Sequence, residues 1–102
     1  MGKYALIVEF VCLPGNRKAV VDRALQHGQL VIEEPGCLNF EVLLSTEDER
    51  VAYLYEVYKN YDAWKEHDEM DYMPGFREDI DQLVEKKKRV ICTYAQEGAD
   101  VA

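Results

Sequence analysis

The stretch YEVYKNYDAWKEH, from Tyr55 to His67, changes its periodicity in the middle. Its first half alternates as a β-strand does, and its second half places Trp64 and His67 one helical turn apart. This change predicts a strand that leads directly into a helix packed on a sheet. It also raises a functional question, because the Trp64–His67 pair either fastens that helix to the sheet or forms part of a working site.

Outward from this stretch, apolar residues recur at strand or helix spacing along the chain. Strand patterns cover residues 3–12, 37–45, 51–60 and 89–96, and helical patterns cover about 17–34, 63–71 and 76–86, with Pro74-Gly75 between the last two. The order strand, helix, strand, strand, helix, strand predicts an α+β fold. Right-handed crossovers make it a ferredoxin-like βαββαβ domain with an antiparallel four-stranded sheet. The first and third strands are then central, both helices lie on one face, and residues 1–102 form a single domain.

The hairpin between the second and third strands can be assigned a register. If Leu44 pairs with Val51, then Phe40 pairs with Tyr55, and the apolar faces of the two strands coincide. We therefore expect this register, since a shift by one residue would turn one strand over.

The sheet face away from the helices is also apolar. It carries these residues or their neighbours of opposite parity: Ile7, Val11, Leu43, Leu54 and Tyr58. Such a face is poorly suited to water, and a second copy packed sheet on sheet would cover it, so we expect a homodimer. The alternative is a monomer whose face is partly polar, because Glu9, Glu41 and Glu56 share one parity.

Composition excludes several classes of partner. The net charge of −8 repels phosphate backbones, which argues against nucleic acid. No leader opens the chain and no apolar run reaches the ~18 residues of a membrane span, so no membrane association is expected. The three cysteines, Cys12, Cys37 and Cys92, are scattered without a C-x-x-C pair. They are interpreted as free, mostly buried thiols of a cytoplasmic protein.

The sequence contains no recognisable cradle for a cofactor or a metal ion. His27 and His67 are the only histidines, and the cysteines lack metal-ligand spacing. His27 lies at the edge of the apolar stripe of its helix and is interpreted as a half-exposed helical residue. There is no G-x-G-x-x-G and no glycine-rich phosphate loop, so neither a flavin nor a nucleotide is expected.

The helix that contains Trp64 has the outline of a site for proton transfer. His67 lies one turn after Trp64, and Asp71 lies one turn further, so the three share a face. Asp71 is positioned to hold one ring nitrogen of His67 and raise the basicity of the other, as in a positioned general base. The competing interpretation is a histidine that only packs beside Trp64 and makes one hydrogen bond.

Three segments together resemble the antibiotic biosynthesis monooxygenase domain family: EEPGCLNFEVLLS at 33–45, YLYEVYKNYDAWKEH at 53–67 and DYMPGF at 71–76. The resemblance spans nearly the whole chain. It implies a ferredoxin-like fold and a dimer in which two sheets form an α/β barrel. Members of this family include cofactor-independent monooxygenases of quinols and polycyclic phenols, an isomerase of a phosphorylated signalling sugar, and haem-degrading enzymes.

The resemblance also implies roles for individual residues. His67 matches the family histidine, Glu56 matches the glutamate of the YE strand motif, and Trp64 matches a pocket-side helix position. The usual Ser/Thr-Pro-His-Phe segment is replaced by DYMPGF, so its histidine is absent. Arg77 stands where the haem-degrading branch places its haem ligand, which argues against haem.

From these observations we expect a cofactor-independent monooxygenase of a small, aromatic quinol or phenol. His67 would be the base and Glu56 a second catalytic residue. The substrate-binding residues would be Trp64, Tyr72, Phe76 and Tyr55. The alternatives are a non-catalytic ligand-binding or structural dimer, and a family isomerase of a small sugar-derived metabolite, for which no phosphate anchor is apparent. A cavity beside His67 distinguishes enzymes and binding modules from a packing role.

Overall fold

The computed structural model describes residues 2–98; Met1 and residues 99–102 of the predicted domain lie outside the described part. The elements in chain order are β1 (Tyr4–Cys12), α1 (Arg17–Val31), β2 (Cys37–Leu44), β3 (Val51–Tyr58), α2 (Tyr61–Asp68), α3 (Met73–Asp81) and β4 (Val84–Thr93), followed by a 3-10 turn (Ala95–Glu97). The four strands form one antiparallel sheet in the order β2-β3-β1-β4. The predicted α+β, ferredoxin-like fold with β1 and β3 at the centre is confirmed.

One face of the sheet packs against all three helices, and we call it the closed face. Its core consists of two neighbouring clusters. The first contains Phe10, Cys12, Val20, Ala24, Leu54, Phe76 and Ile80. The second contains Leu6, Val31, Tyr58 and Ala63. Strand residues at every second position meet helix residues at three- and four-residue spacing, which is the pattern that the two periodicities predict.

The boundaries near α3 and β4 differ from the prediction. Pro74 does not separate two helices, because it occupies the first turn of α3, where a missing N–H costs no hydrogen bond. The helical break lies earlier, between Asp68 and Met73. β4 begins at Val84, so the basic run KKKR belongs to an edge strand, where charged side chains discourage pairing with other chains.

The predicted hairpin register is wrong by one residue. Phe40 pairs with Glu56, and Leu44 pairs with Ala52. The turn sets this register: the Ser45 N–H donates to the Val51 carbonyl over 3.1 Å, and the Ser45 Oγ accepts two backbone N–H groups of the turn. Hydrogen bonds in the turn thus decide the pairing of β2 with β3. The apolar pattern alone was equally compatible with the predicted register, which is shifted by one residue.

The register places a different set of residues on the sheet face away from the helices, which we call the open face. Leu54 and Tyr58, expected there, are buried under the helices, and so is Glu56. The open face instead exposes Ile7 (41%), Leu43 (46%) and Val90 (41%). No helix within residues 2–98 is long and apolar enough to cross a membrane.

Candidate active site

His67 lies between two carboxyl groups under the helices. It is on α2 and is only 3% exposed. Its Nδ1 lies 2.9 Å from the Glu34 Oε2, and its Nε2 lies 3.6 Å from the Glu56 Oε1. The ring also stacks on Tyr58, with 4.9 Å between ring centroids. A buried imidazole with a carboxyl group on each side is arranged for proton transfer rather than for packing alone.

Glu34 favours a hydrogen on one particular ring nitrogen of His67. Its Oε2 accepts a hydrogen bond from the Tyr72 hydroxyl and lies beside the His67 Nδ1. A carboxylate oxygen can only accept, so the arrangement favours a hydrogen on Nδ1 and leaves the lone pair on Nε2. The predicted partner, Asp71, is exposed and does not hold the ring.

Close packing at Gly36 brings Glu34 to His67. A Cβ atom on Gly36 would lie 2.3 Å from the Cβ of Ala63, so only glycine allows this approach. Ala63 begins the helical turn that His67 completes, and its N–H is capped by the Asn60 Oδ1 at 2.8 Å. The turn after α1 therefore packs closely against the start of α2. Glu34 lies two residues before Gly36, and His67 lies one helical turn after Ala63.

Glu56 is a buried acid on the Nε2 side of His67. It is 4% exposed, and burial raises the pKa of its carboxyl group, although the Tyr58 hydroxyl bond and His67 oppose this shift. The Tyr58 hydroxyl donates to the Glu56 Oε1 over 2.6 Å. Because the two residues are two positions apart on β3, they face the same side of the sheet. Glu56 can thus carry a proton at a pH where an exposed glutamate would be ionised.

A cavity of about 240 Å³ adjoins this cluster between the helices and the closed face. Its apolar walls are Leu6, Val8, Phe10, Leu54, Met73, Phe76 and Ile80. Its polar lining consists of His27, Glu56, His67, Arg77, Lys87 and Arg89. A wider depression of about 780 Å³ at the end of the described chain contains neither histidine. The smaller cavity is therefore the candidate site, since apolar walls and a few convergent polar groups occur together there.

His27 is a site residue that its sequence position did not reveal. The prediction of a half-exposed residue is wrong, because His27 is 2% exposed and its ring stacks on Phe76 at 3.7 Å. Burial lowers the pKa of His27 to about 3, so it is neutral at pH 7. The available signal was its spacing, since it lies three residues after Ala24 and four before Val31, both buried on α1.

The structure brings some of the predicted site residues together. His67, Glu56 and Phe76 line the cavity. Tyr72 lies behind His67, where it contacts Glu34 instead of forming a cavity wall. Glu34 and Tyr58 complete the cluster and were not predicted as site residues, although Glu34 stands directly before the Pro-Gly turn that packs on α2.

Two other predicted residues lie away from the cavity. Trp64 stacks on Tyr4 with 6.0 Å between ring centroids, so it packs the outer end of α2 instead of lining the pocket. Tyr55 lies on the open face, where its hydroxyl is 3.2 Å from that of Tyr94. Tyr55 therefore lies on the side of the sheet away from His67, because alternate strand residues face opposite sides. Its role in substrate binding stays a prediction.

Within residues 2–98, no group of three or more histidine, cysteine, aspartate or glutamate side chains is arranged to hold a metal ion. The expectation of no cofactor stays a prediction.

Comparisons with known proteins agree with this architecture. The family model described as antibiotic biosynthesis monooxygenase matches residues 3–79. A candidate antibiotic biosynthesis monooxygenase from Nitrosomonas europaea superimposes with a TM-score of 0.84 at 26% identity, covering 92% of each chain. A protein from Shewanella oneidensis gives a TM-score of 0.86 at 19% identity, covering 91% of each chain, and at that identity shows the fold alone. No curated protein gives a significant match to the sequence.

Proposed function

The chain belongs to the antibiotic biosynthesis monooxygenase family, and from this premise we propose that it is a cofactor-independent monooxygenase of a small phenol or quinol. One observation carries the proposal. His67 is buried at the wall of an apolar cavity, its Nδ1 is held by Glu34, and its Nε2 is left beside Glu56. A base held in one orientation at the wall of an apolar pocket is what such a reaction needs from the protein.

The substrate supplies the electrons in this reaction. The Nε2 of His67 removes the phenolic proton, and the electron-rich phenolate transfers one electron to dioxygen. The phenoxyl radical and superoxide combine, forming a C–O bond at an ortho or para carbon that bears hydrogen, and a peroxide anion. Protonation of the peroxide, loss of the C–H proton at that carbon and cleavage of the O–O bond then give a quinone and water. One phenol and one dioxygen are consumed, so no external reductant is required.

Glu56 supplies the proton that the peroxide needs. Burial raises its pKa, which favours the protonated carboxyl group, and after donation it can be reprotonated by the His67 imidazolium, whose Nε2 lies 3.6 Å away. Tyr58 holds the carboxyl group in place through its hydroxyl. The pair can therefore pass one proton from phenol to peroxide without bulk water.

Oxygen uptake with a panel of mono- and bicyclic phenols and quinols tests the proposal. We expect stoichiometric quinone formation, and His67→Gln should lower turnover by roughly a hundredfold or more. The variant should stay folded, within about 1 kcal/mol of the parent in free energy of unfolding. Lys65→Gln, on the exposed side of the same helix, is the matched control and should keep full activity.

Two outcomes would contradict the proposal. Full activity of His67→Gln would make His67 a packing residue. Tight binding of the panel with no oxygen uptake under any condition would instead support the alternative of a non-catalytic ligand-binding protein.

We further propose that the active form is a homodimer in a reducing, cytoplasmic compartment. The family is generally dimeric, and the exposed Ile7, Leu43 and Val90 give the open face the apolar character of an interface. The three unpaired cysteines are in keeping with a compartment where thiols stay reduced.

A further inference from the structure

Three basic side chains stand at the mouth of the cavity. Arg77 reaches it from α3, and Lys87 and Arg89 reach it from the edge strand β4. Their side chains are 40–47% exposed, so they border the opening instead of filling the interior. The cavity is thus apolar along its walls and basic at its rim.

The rim keeps an excess of positive charge after its own ion pairs are counted. Arg77 and Arg89 share one carboxylate, with their nitrogens 2.6 Å and 3.5 Å from the Asp68 Oδ1. Lys87 is paired with Asp81 at 2.6 Å. Three cations and two carboxylates leave one positive charge at the opening. On a chain with a net charge of −8, this is a local reversal of sign.

The basic residues of the edge strand β4 point to two different sides of the sheet. Lysines on an edge strand discourage pairing with other chains, and Lys86 and Lys88 serve that purpose from the open face of β4. Lys87 and Arg89 point to the other side, because their pairing partners are Phe10 and Val8, two residues of the cavity wall. A position beside the helix layer is ordinarily apolar, so the two cations there bring positive charge to the opening of the cavity.

We propose that the substrate of this site is a small ring compound that carries an anionic substituent, a carboxylate or a phosphate, bound at the rim between Arg77 and Arg89. This inference rests on the proposed function, because it names the class of phenol that the cavity takes. The ring lies among the apolar walls with its hydroxyl towards His67. The anion accepts hydrogen bonds from the guanidinium groups, which present a planar fork suited to either acid.

The size of the cavity limits the ring system. A cavity of ~150 Å³ lined by apolar side chains holds one benzene. The 240 Å³ found here therefore suits one ring or two fused rings, with the substituent outside at the rim. Larger polycyclic phenols would exceed this volume.

Direct binding measurements test the inference separately from any turnover. Titration calorimetry would compare 5-hydroxy-1-naphthoate, 5-hydroxy-1-naphthyl phosphate and 1-naphthol, which share one bicyclic ring with a free hydroxyl and differ in the anion on the opposite ring. We expect each acid to bind at least roughly tenfold more tightly than 1-naphthol at low salt, and the difference to shrink as salt is added. The stronger of the two acids identifies whether the rim suits a carboxylate or a phosphate.

Variants of the rim residues test whether the anionic group of the ligand binds there. Arg89→Gln should weaken binding of the preferred acid by roughly tenfold and leave 1-naphthol within twofold. Arg77→Gln should act in the same direction. Lys88→Gln, on the opposite face of the same strand, is the matched control and should change neither. An acid that binds no better than 1-naphthol, no binding of the acids at millimolar concentration, or equal losses for all three ligands in Arg89→Gln would overturn the inference.

The two proposals fail in distinguishable ways. If the acids bind through the rim but no phenol acid consumes oxygen, the monooxygenase proposal fails and the anion site stands. If neutral phenols are oxidised faster than their acids and bind as tightly, the anion site fails and the monooxygenase proposal stands.

Discussion

The two faces of the sheet depart in opposite ways from the rule that a protein buries apolar groups and exposes polar ones. The closed face buries polar groups, with Glu56 and His67 almost inaccessible to water. The open face exposes apolar ones, with Ile7, Leu43 and Val90 each more than two-fifths exposed. Adjacent residues of one strand show the contrast, since Glu56 is buried and the neighbouring Tyr55 lies on the other side with its hydroxyl near Tyr94.

The difference shows where function lies on each face. Burial of a carboxyl group costs free energy unless it is neutral or partnered, and Glu56 meets that demand through Tyr58, His67 and a raised pKa. Exposed apolar area also costs free energy, and contact with another surface removes that cost. The closed face therefore indicates chemistry and the open face indicates assembly. The predictions below test the two assignments, beginning with the largest expected effect.

Assembly should respond to a charge placed on the open face. We expect Ile7→Lys to convert the dimer to a monomer at micromolar concentration, because a buried unpaired lysine opposes sheet-on-sheet packing. Light scattering after size-exclusion chromatography measures the mass. Ile32→Lys, at an exposed position after α1, is the matched control and should remain dimeric. A parent protein that stays at the mass of one chain as concentration rises would contradict the assignment of the open face.

The closed face should lose stability in acid because of His27. Its pKa is lowered to about 3 in the folded chain, so its contribution is present above the unfolded value near 6.5 and is lost as pH falls towards 3. Between pH 7 and pH 4 this loss should be about 3 kcal/mol. Glu56 acts with the opposite sign, since its raised pKa favours the folded state as pH falls.

The variant His27→Asn isolates this contribution from that of the carboxyl groups. Urea unfolding at both pH values gives the pH dependence of the free energy of unfolding for parent and variant. We expect the parent to lose about 3 kcal/mol more than the variant. Equal losses would show that His27 takes up a proton at pH 4 as readily in the folded protein as in the unfolded chain.

Orientation of His67 by Glu34 should have a smaller effect. Glu34→Gln replaces a charge-assisted acceptor with an amide that can donate to Nδ1, so the ring can adopt the other tautomer. We expect kcat for an identified substrate to fall by at least about tenfold, with KM little changed. Glu33→Gln, one residue earlier and exposed, is the control. If both variants match the parent, Glu34 has no positioning role.

Much of the fold was predictable from periodicity. The element order, the central strands and the shared helix face all followed from spacing and from the handedness of crossovers. The register of the β2–β3 hairpin did not, because two registers offered similar apolar contacts and the Ser45 turn decided between them. The start of β4 was also missed, because Val84 continues the helical apolar spacing of the preceding segment, so the predicted helix extended to residue 86.

The site was predictable only in part. His67 and Glu56 were expected from the motif, and both line the cavity. Glu34 was missed because it is distant along the chain and reaches His67 only through the close approach of Gly36 and Ala63. Arg77 and Arg89 were not recognised as a rim, because their convergence depends on how α3 packs against β4. Contacts between segments that are distant along the chain are the hardest feature to predict from a single sequence.

The central claim is that Glu34 holds His67 with its hydrogen on Nδ1 and a free lone pair on Nε2. Nitrogen-15 NMR of the histidine rings at pH 7 tests this most directly, since protonated and unprotonated ring nitrogens give well-separated shifts, and His67→Gln assigns the signals. The account predicts a protonated Nδ1 and an unprotonated Nε2 for His67, with the pattern altered in Glu34→Gln. A hydrogen on Nε2, or on both nitrogens, would contradict it, because His67 would then have no lone pair with which to take a proton from the substrate.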